Sequence, residues 1–277
     1  MSEIGGEQVD TVELKESPIR PMAKVVAVTS GKGGVGKTFV SANMAAAMAK
    51  QGLRVLVMDA DLGLANLDVV LNLYPKLTLH DVFTGNCNIK DAIVAAPGGF
   101  FVMLAGSGMV EYSRLSSEVR AEFVNIMSDV MPNFDIVILD TGAGISDVVL
   151  FAVSLASEVI VVATPEPTSL TDAYATIKVL AGQQKRQVIR MIVNQTARPG
   201  DGRAITSQLQ QVLDRFVVSE PGHQVRLIHM GDIPSDPSVR NAIMRRQLLI
   251  LSSPACPASI AVTQIAQKVY QAAKGKI

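Results

Sequence analysis

Short apolar runs recur along this chain at intervals that leave room for a helix between them. Lys24–Thr29, Arg54–Met58, Phe100–Leu104, Asp135–Leu139, Glu158–Ala163, Val188–Val193 and Val225–His229 are mostly continuous in Val, Ile and Leu rather than alternating. A strand with one wet face alternates, whereas a strand buried on both faces of a parallel sheet reads as an unbroken run. Amphipathic segments separate the runs: Phe39–Gln51, Ser117–Met131, Asp147–Ala156, Leu170–Ala181 and Ala204–Phe216. This alternation predicts an α/β fold, a doubly wound and mostly parallel sheet with helices on both faces. Residues 1–23 are polar, acidic in places, and end with Pro18 and Pro21; they predict a flexible leader ahead of one domain over 24–277. No internal repeat or low-complexity block interrupts the pattern.

In such a sheet ligands bind outside the carboxyl ends of the strands, and those ends carry the chemistry. After the first run comes Gly31-Lys32-Gly33-Gly34-Val35-Gly36-Lys37-Thr38, followed by Phe39 and a helix. Gly31, four residues, then Gly36-Lys37-Thr38 is the spacing of a phosphate-binding P-loop. Its backbone N–H groups turn inward around phosphate oxygens, helped by the positive end of the following helix. Lys37 can reach the β- and γ-phosphates and the Thr38 hydroxyl can ligate Mg²⁺. Asp59 and Asp61 follow the second run, two residues apart, so an extended backbone points both carboxylates the same way. Asp140 closes the apolar run Ile136–Leu139, where a Walker-B aspartate holds Mg²⁺, and Gly142 and Gly144 after it suit a loop that senses the γ-phosphate. Asn194 ends a later run and can offer its amide to an adenine edge. Guanine-specific loops read Asn-Lys-x-Asp there; Asn194-Gln195-Thr196-Ala197 has neither the lysine nor the aspartate, which favours adenine.

Lys32 through Thr38 spell KGGVGKT, and on that string the chain resembles the deviant-Walker ATPases of the MinD/ParA type. The resemblance covers about Lys24 to Ala273. It implies an ATP- and Mg²⁺-dependent homodimer in which Lys32 crosses the interface to the partner's nucleotide. It further implies that Asp59 helps position the metal, Asp61 orients the attacking water, and Asp140-Thr141-Gly142-Ala143-Gly144 is a switch. The loop Ile233-Pro234-Ser235-Asp236-Pro237-Ser238-Val239 resembles the family's adenine-side loop, which puts Pro234 and Asp236 beside the base. The stretch Asp59–Asn66 with Asp68, Leu79–Val82, and Pro165–Tyr174 are similar to the flagellar-number regulators, the FlhG/FleN branch. That branch implies slow, partner-stimulated ATP hydrolysis and restraint of flagellar number. Its implied partners are a signal-recognition-type GTPase (FlhF), a flagellar transcription activator or C-ring proteins. Two departures stand out: the leader Glu7–Leu14 lacks the arginine and spacing of the branch's DQAxxLR motif, and only Lys274-Gly275-Lys276-Ile277 follows the last predicted helix. That helix, Ala258 to about Ala273 with Ile260, Ala261, Ile265, Val269 and Ala273 apolar, reads as a core helix. Membrane contact is therefore expected to be weak or absent.

Charge and cysteines narrow the classes. Lys+Arg 25 balance Asp+Glu 25 over 277 residues, so no global basic surface marks a nucleic-acid binder, and sequence-specific recognition of nucleic acid is not expected. The ParA-like alternative, partition on DNA, needs such a surface; the MinD-like alternative is a division-site role. An iron–sulfur scaffold needs cysteine pairs, and Cys87 and Cys256 stand alone. No run reaches the ~18 apolar residues of a membrane span, and the start, Met1-Ser2-Glu3-Ile4-Gly5-Gly6, has no secretory pattern. The expected location is the cytoplasm, with any contact at the inner membrane peripheral.

Overall fold

The structure is a computed structural model that describes residues 22–61, 66–106, 115–216 and 224–273. Eight strands among these form one sheet: β1 (Lys24–Ser30), β2 (Val55–Ala60), β3 (Ile93–Ala95), β4 (Phe101–Met103), β5 (Ile136–Ala143), β6 (Glu158–Ala163), β7 (Val188–Thr196) and β8 (Arg226–Pro234). Their order is β3-β4-β2-β5-β1-β6-β7-β8. Every pairing is parallel except β3 with β4 at the edge. Ten α-helices complete the described chain: α1 (Lys37–Ala49), α2 (Leu67–Leu71), α3 (Leu79–Phe83), α4 (Ser117–Val130), α5 (Asp147–Ser154), α6 (Pro167–Gln183), α7 (Asp201–Phe216), α8 (Pro237–Met244), α9 (Leu249–Ser252) and α10 (Pro257–Ala273).

The continuous apolar runs have the predicted cause. Alternate residues of each central strand serve two cores: Val25 and Ala27 of β1 pack with α5 and α6, Val26 and Val28 with α1 and α10. Helices α3 to α7 cover the first face, and α1, α2, α8, α9 and α10 the second.

Several boundaries differ from the sequence pattern. β2 runs on through Asp59 to Ala60, and β5 through Asp140 to Ala143, because the two strands stay in register past their apolar stretch, with Asp59 opposite Asp140 and Ala60 opposite Thr141. β7 likewise reaches Thr196, pairing Asn194 with Ile233 of β8. Polar side chains ended the hydropathic signal there while the backbone ladder continued. The three-residue β3 is too short to give a periodic signal and was not predicted. α6 begins at Pro167, a residue suited to the first helical position because its missing N–H would be unpaired anyway.

α10 packs on the core as expected, but its buried face is Ala258, Val262, Ile265, Ala266, Val269 and Ala272, while Ile260 is exposed. Of the predicted features, the leader through Pro21, Leu62–Ala65 after Asp61, and the tail 274–277 lie outside the described residues.

Candidate functional site

β1 is the central strand, flanked by β5 and β6, and the glycine-rich loop leaves its carboxyl end. Two contacts fix why glycines stand in it. Gly36 caps α1 at φ 97°, in the left-handed region. A Cβ there would also lie 2.5 Å from the Asn194 amide nitrogen. At Gly31 a Cβ would come within 2.2 Å of the Asp172 carbonyl in α6. The loop is thus wedged between β7 and α6, and α1 starts at Lys37, presenting Lys37 and Thr38 in its first turn.

Beyond the loop a cavity of about 610 Å³ opens at the carboxyl ends of β2 and β5. Gly33, Gly34, Gly36, Lys37, Thr38, Phe39, Asp59, Asp61 and Asp140 all line it. Asp59 and Asp140 are almost wholly buried, at 2% and 3% exposure. Asp140 Oδ1 accepts from Ser41 Oγ at 3.0 Å, and Thr38 also donates to this carboxylate. Asp59 Oδ1 accepts from the Asp61 N–H at 3.1 Å, while its Oδ2 is buried without a partner among the described residues. The Asp61 side chain lies against the switch segment, where a Cβ on Gly142 would stand 3.3 Å from its carboxyl carbon.

Electrostatics follow from this crowding. Burial, opposed by the Thr38 and Ser41 hydrogen bonds and by Lys37, pushes Asp140 up to about 6. Burial and then the neighbouring Asp140 charge raise Asp59 well above the ordinary carboxylate range. Burial lowers Lys37, although Asp140 and Asp61 pull the other way. Two adjacent buried carboxylates with one ammonium make a site short of positive charge. The oxygens it offers a cation are hard: the orphaned Asp59 Oδ2, the Asp140 carboxylate and the Thr38 hydroxyl. That donor set fits Mg²⁺, which takes one or two carboxylates and completes its shell with water and substrate phosphates. It needs no cluster of three or more His, Cys, Asp or Glu, and the described residues contain none.

Not every sequence candidate faces the cavity. Gly31 and Val35 shape the loop from behind. Asn194 braces the P-loop: its Nδ2 donates to the Val35 carbonyl at 2.8 Å and its Oδ1 accepts from the Gln195 N–H at 2.9 Å, leaving one donor and one acceptor of its amide for an adenine edge. Pro234 ends β8. Asp236 caps α8, accepting from the Ser238 N–H at 2.8 Å, and holds the start of α10 through the Ala258 N–H at 3.3 Å. Burial would raise its carboxyl, but these hydrogen bonds outweigh it and the net shift is downward. Lys32 points along the surface, donating to Glu166 Oε2 and Thr168 Oγ1 of its own chain, each at 2.9 Å, and this pairing holds Glu166 below its usual range.

Sequence reasoning missed Ser41, Glu166 and Thr168. Ser41 had a signal, since it is a polar residue one turn after Lys37 in a helix otherwise rich in Ala, Met and Val. Glu166 and Thr168 follow the Glu158–Ala163 run and so belong to the same sheet edge as the P-loop, but only the fold, which sets β6 beside β1, shows that they hold Lys32.

The family model described as "ParA: NUBPL iron-transfer P-loop NTPase" matches residues 21–270. The chain is 44% identical over 246 residues to the Antiactivator FleN of Pseudomonas aeruginosa, covering 89% of this chain and 86% of that protein. It is 32% identical to the Flagellum site-determining protein YlxH of Helicobacter pylori, covering 88% and 80%. Among solved structures, the septum site-determining protein MinD of Pyrococcus horikoshii, complexed with Mg-ADP, superposes with a TM-score of 0.73 at 25% identity, covering 92% of this chain and 99% of that one. The chain belongs to the ParA/MinD family of P-loop NTPases and is an ATPase that works with ATP and Mg²⁺.

Proposed function

We propose that this protein is an ATP-operated homodimeric switch that regulates flagellar number or placement. The observation that carries the switch is the convergence of Lys37, Thr38, Asp59, Asp61 and Asp140 on one cavity behind a loop that also bears Lys32. Backbone N–H groups of Gly33 to Lys37 cradle the phosphates, and the Lys37 ammonium binds the β- and γ-phosphates. Thr38, Asp59 and Asp140 hold Mg²⁺, which when bound neutralises charge on the phosphate oxygens. Asp61 orients the attacking water, and its contact with Gly142 couples that task to the switch segment. Lys32 exchanges Glu166 and Thr168 for the nucleotide of a second copy. Phe39, almost wholly buried in the core, lines the same cavity next to Thr38.

The flagellar assignment is supported by the flagellum site-determining relative at 32% identity and by the 44% identity to the antiactivator FleN, the branch whose motifs the sequence resembles. FlhF-type GTPases, a flagellar transcription activator or C-ring proteins are the proposed partners. No helix among the described residues is long and apolar enough to cross a membrane, and membrane contact is proposed to be weak. The iron-carrying reading suggested by the family model's description has less support. The chain holds two cysteines, and Cys87 and Cys256 pack on opposite faces of the sheet.

Three measurements test the proposal. Calorimetry with a non-hydrolysable ATP analogue should show binding lost in Lys37→Ala; undiminished affinity in that folded variant defeats the site. Light scattering should show the mass double with ATP and Mg²⁺ when Asp61→Ala blocks hydrolysis. Cells lacking the protein should carry extra or misplaced flagella; normal flagellation with misplaced septa would favour the division-site role instead.

A further inference from the structure

At the other end of the sheet from the P-loop, where β6, β7 and β8 begin, lies a second cavity of about 920 Å³. Lys185, Arg186, Arg190 and Arg226 line it against a single carboxylate, Glu158. Four positive charges against one negative leave three in excess, on a chain whose formal net charge is zero. Register explains part of the clustering. Val188 pairs with Arg226, and Arg190 stands two residues beyond Val188, so the two arginines project from the same face of the sheet.

Internal tasks account for only some of these groups. Arg186 closes the end of α5 by donating to the carbonyls of Val153 at 2.8 Å and Ala156 at 2.7 Å. Arg190 is 7% exposed and pairs through one nitrogen with Glu158, but its Nε is buried without a partner. A guanidinium offers five donors, and one carboxylate leaves this buried one undersupplied with acceptors. Lys185 and Arg226 are exposed, and their side chains have no hydrogen-bond or ion-pair partner among the described residues. Gln184 adds an unpartnered acceptor, its side-chain oxygen.

We propose that this cavity binds a small phosphorylated molecule. A phosphate dianion or a longer phosphate chain matches an excess of three positive charges better than a single carboxylate does. Guanidinium forks suit phosphate geometry. The cavity volume lies within the ~300–1,000 Å³ usual for small-ligand sites.

The test uses pyrophosphate as the probe, titrated calorimetrically in Mg²⁺-free buffer. The Lys37→Ala chain, its P-loop disabled, should still bind one pyrophosphate. Adding Lys185→Gln and Arg226→Gln should weaken that binding at least about tenfold, the scale of losing one charge-assisted hydrogen bond. The same two substitutions in the otherwise native chain should leave ATP turnover unchanged, since both residues lie at the far end of the sheet from the ATP cavity. No pyrophosphate binding in Lys37→Ala, or unchanged affinity with the two glutamines added, overturns the proposal. Intact ATP binding by Lys37→Ala that persists with the two glutamines added would instead defeat the P-loop assignment, because the second cavity could not account for it.

Discussion

Asp61 and Lys32 sit two steps apart in what the chain shows of them. Asp61 lines the ATP cavity and touches Gly142, so its expected contribution is to the transition state rather than to binding. Asp61→Ala should keep its ATP affinity while kcat falls by ~10²–10⁴-fold, the range for a positioned acid–base or water-orienting group; unchanged turnover per bound ATP would make it a structural residue. Lys32 is held by Glu166 and Thr168 in the single chain. An ion pair this exposed is weak and readily exchanged. Glu166→Gln should therefore free Lys32 and let the ATP-dependent dimer form at lower protein concentration, as read by sedimentation. An unmoved monomer–dimer midpoint would mean the pair does not compete with assembly. The residues of the P-loop string could be read directly, because their spacing is local. The partners of Lys32 could not, since Glu166 lies 134 residues away.

Elements decide which glycines matter. Gly31 and Gly33 look alike in sequence, yet α6 packs its Asp172 carbonyl onto the first and leaves open space at the second. Gly31→Ala should lose about 1–3 kcal/mol through overpacking, seen as a lower thermal midpoint, while Gly33→Ala should melt like the native protein. Equal melting of the two would show that α6 yields without cost. The helix α10 makes the same point in reverse. Its helical period was legible, and Ile265 and Val269 face inward as expected, but the exact stripe was not: the core also takes Val262 and Ala266, and leaves Ile260 exposed. Hydrophobicity alone does not set the rotation of a helix whose outer face also carries apolar residues.

Across the whole molecule, strands and helices distant in sequence build a polar network at the sheet edge. His229 Nε2 on β8 stands 2.9 Å from Asp232 Oδ1, and Asp232 Oδ2 accepts the Gly202 N–H of α7 at 3.2 Å. Burial, with Lys268 and Arg203 nearby, holds the imidazole below its ordinary value of 6.5, outweighing the pull of Asp232. The unfolded chain therefore takes up this proton first as pH falls. The stabilising contribution is full above 6.5 and is lost as pH drops below it towards the folded value. Urea midpoints at about pH 7.5 and about pH 5.5 should diverge more in the native protein than in His229→Gln. Parallel declines in the two would exclude His229 as the source.

The sequence by itself determined the class of fold and the phosphate-binding loop, because both are written in short-range patterns: buried strands as continuous apolar runs, amphipathic helices between them, and glycines at fixed spacing before Lys37 and Thr38. It also put Asp59 and Asp140 at strand ends that face the loop. Only the tertiary structure decided that these two aspartates are register partners on β2 and β5, that Asn194 braces the loop, and that Arg190 and Arg226 share a cavity. Period and hydropathy report how deeply each residue is buried, whereas strand order and helix rotation depend on long-range packing that no local window contains.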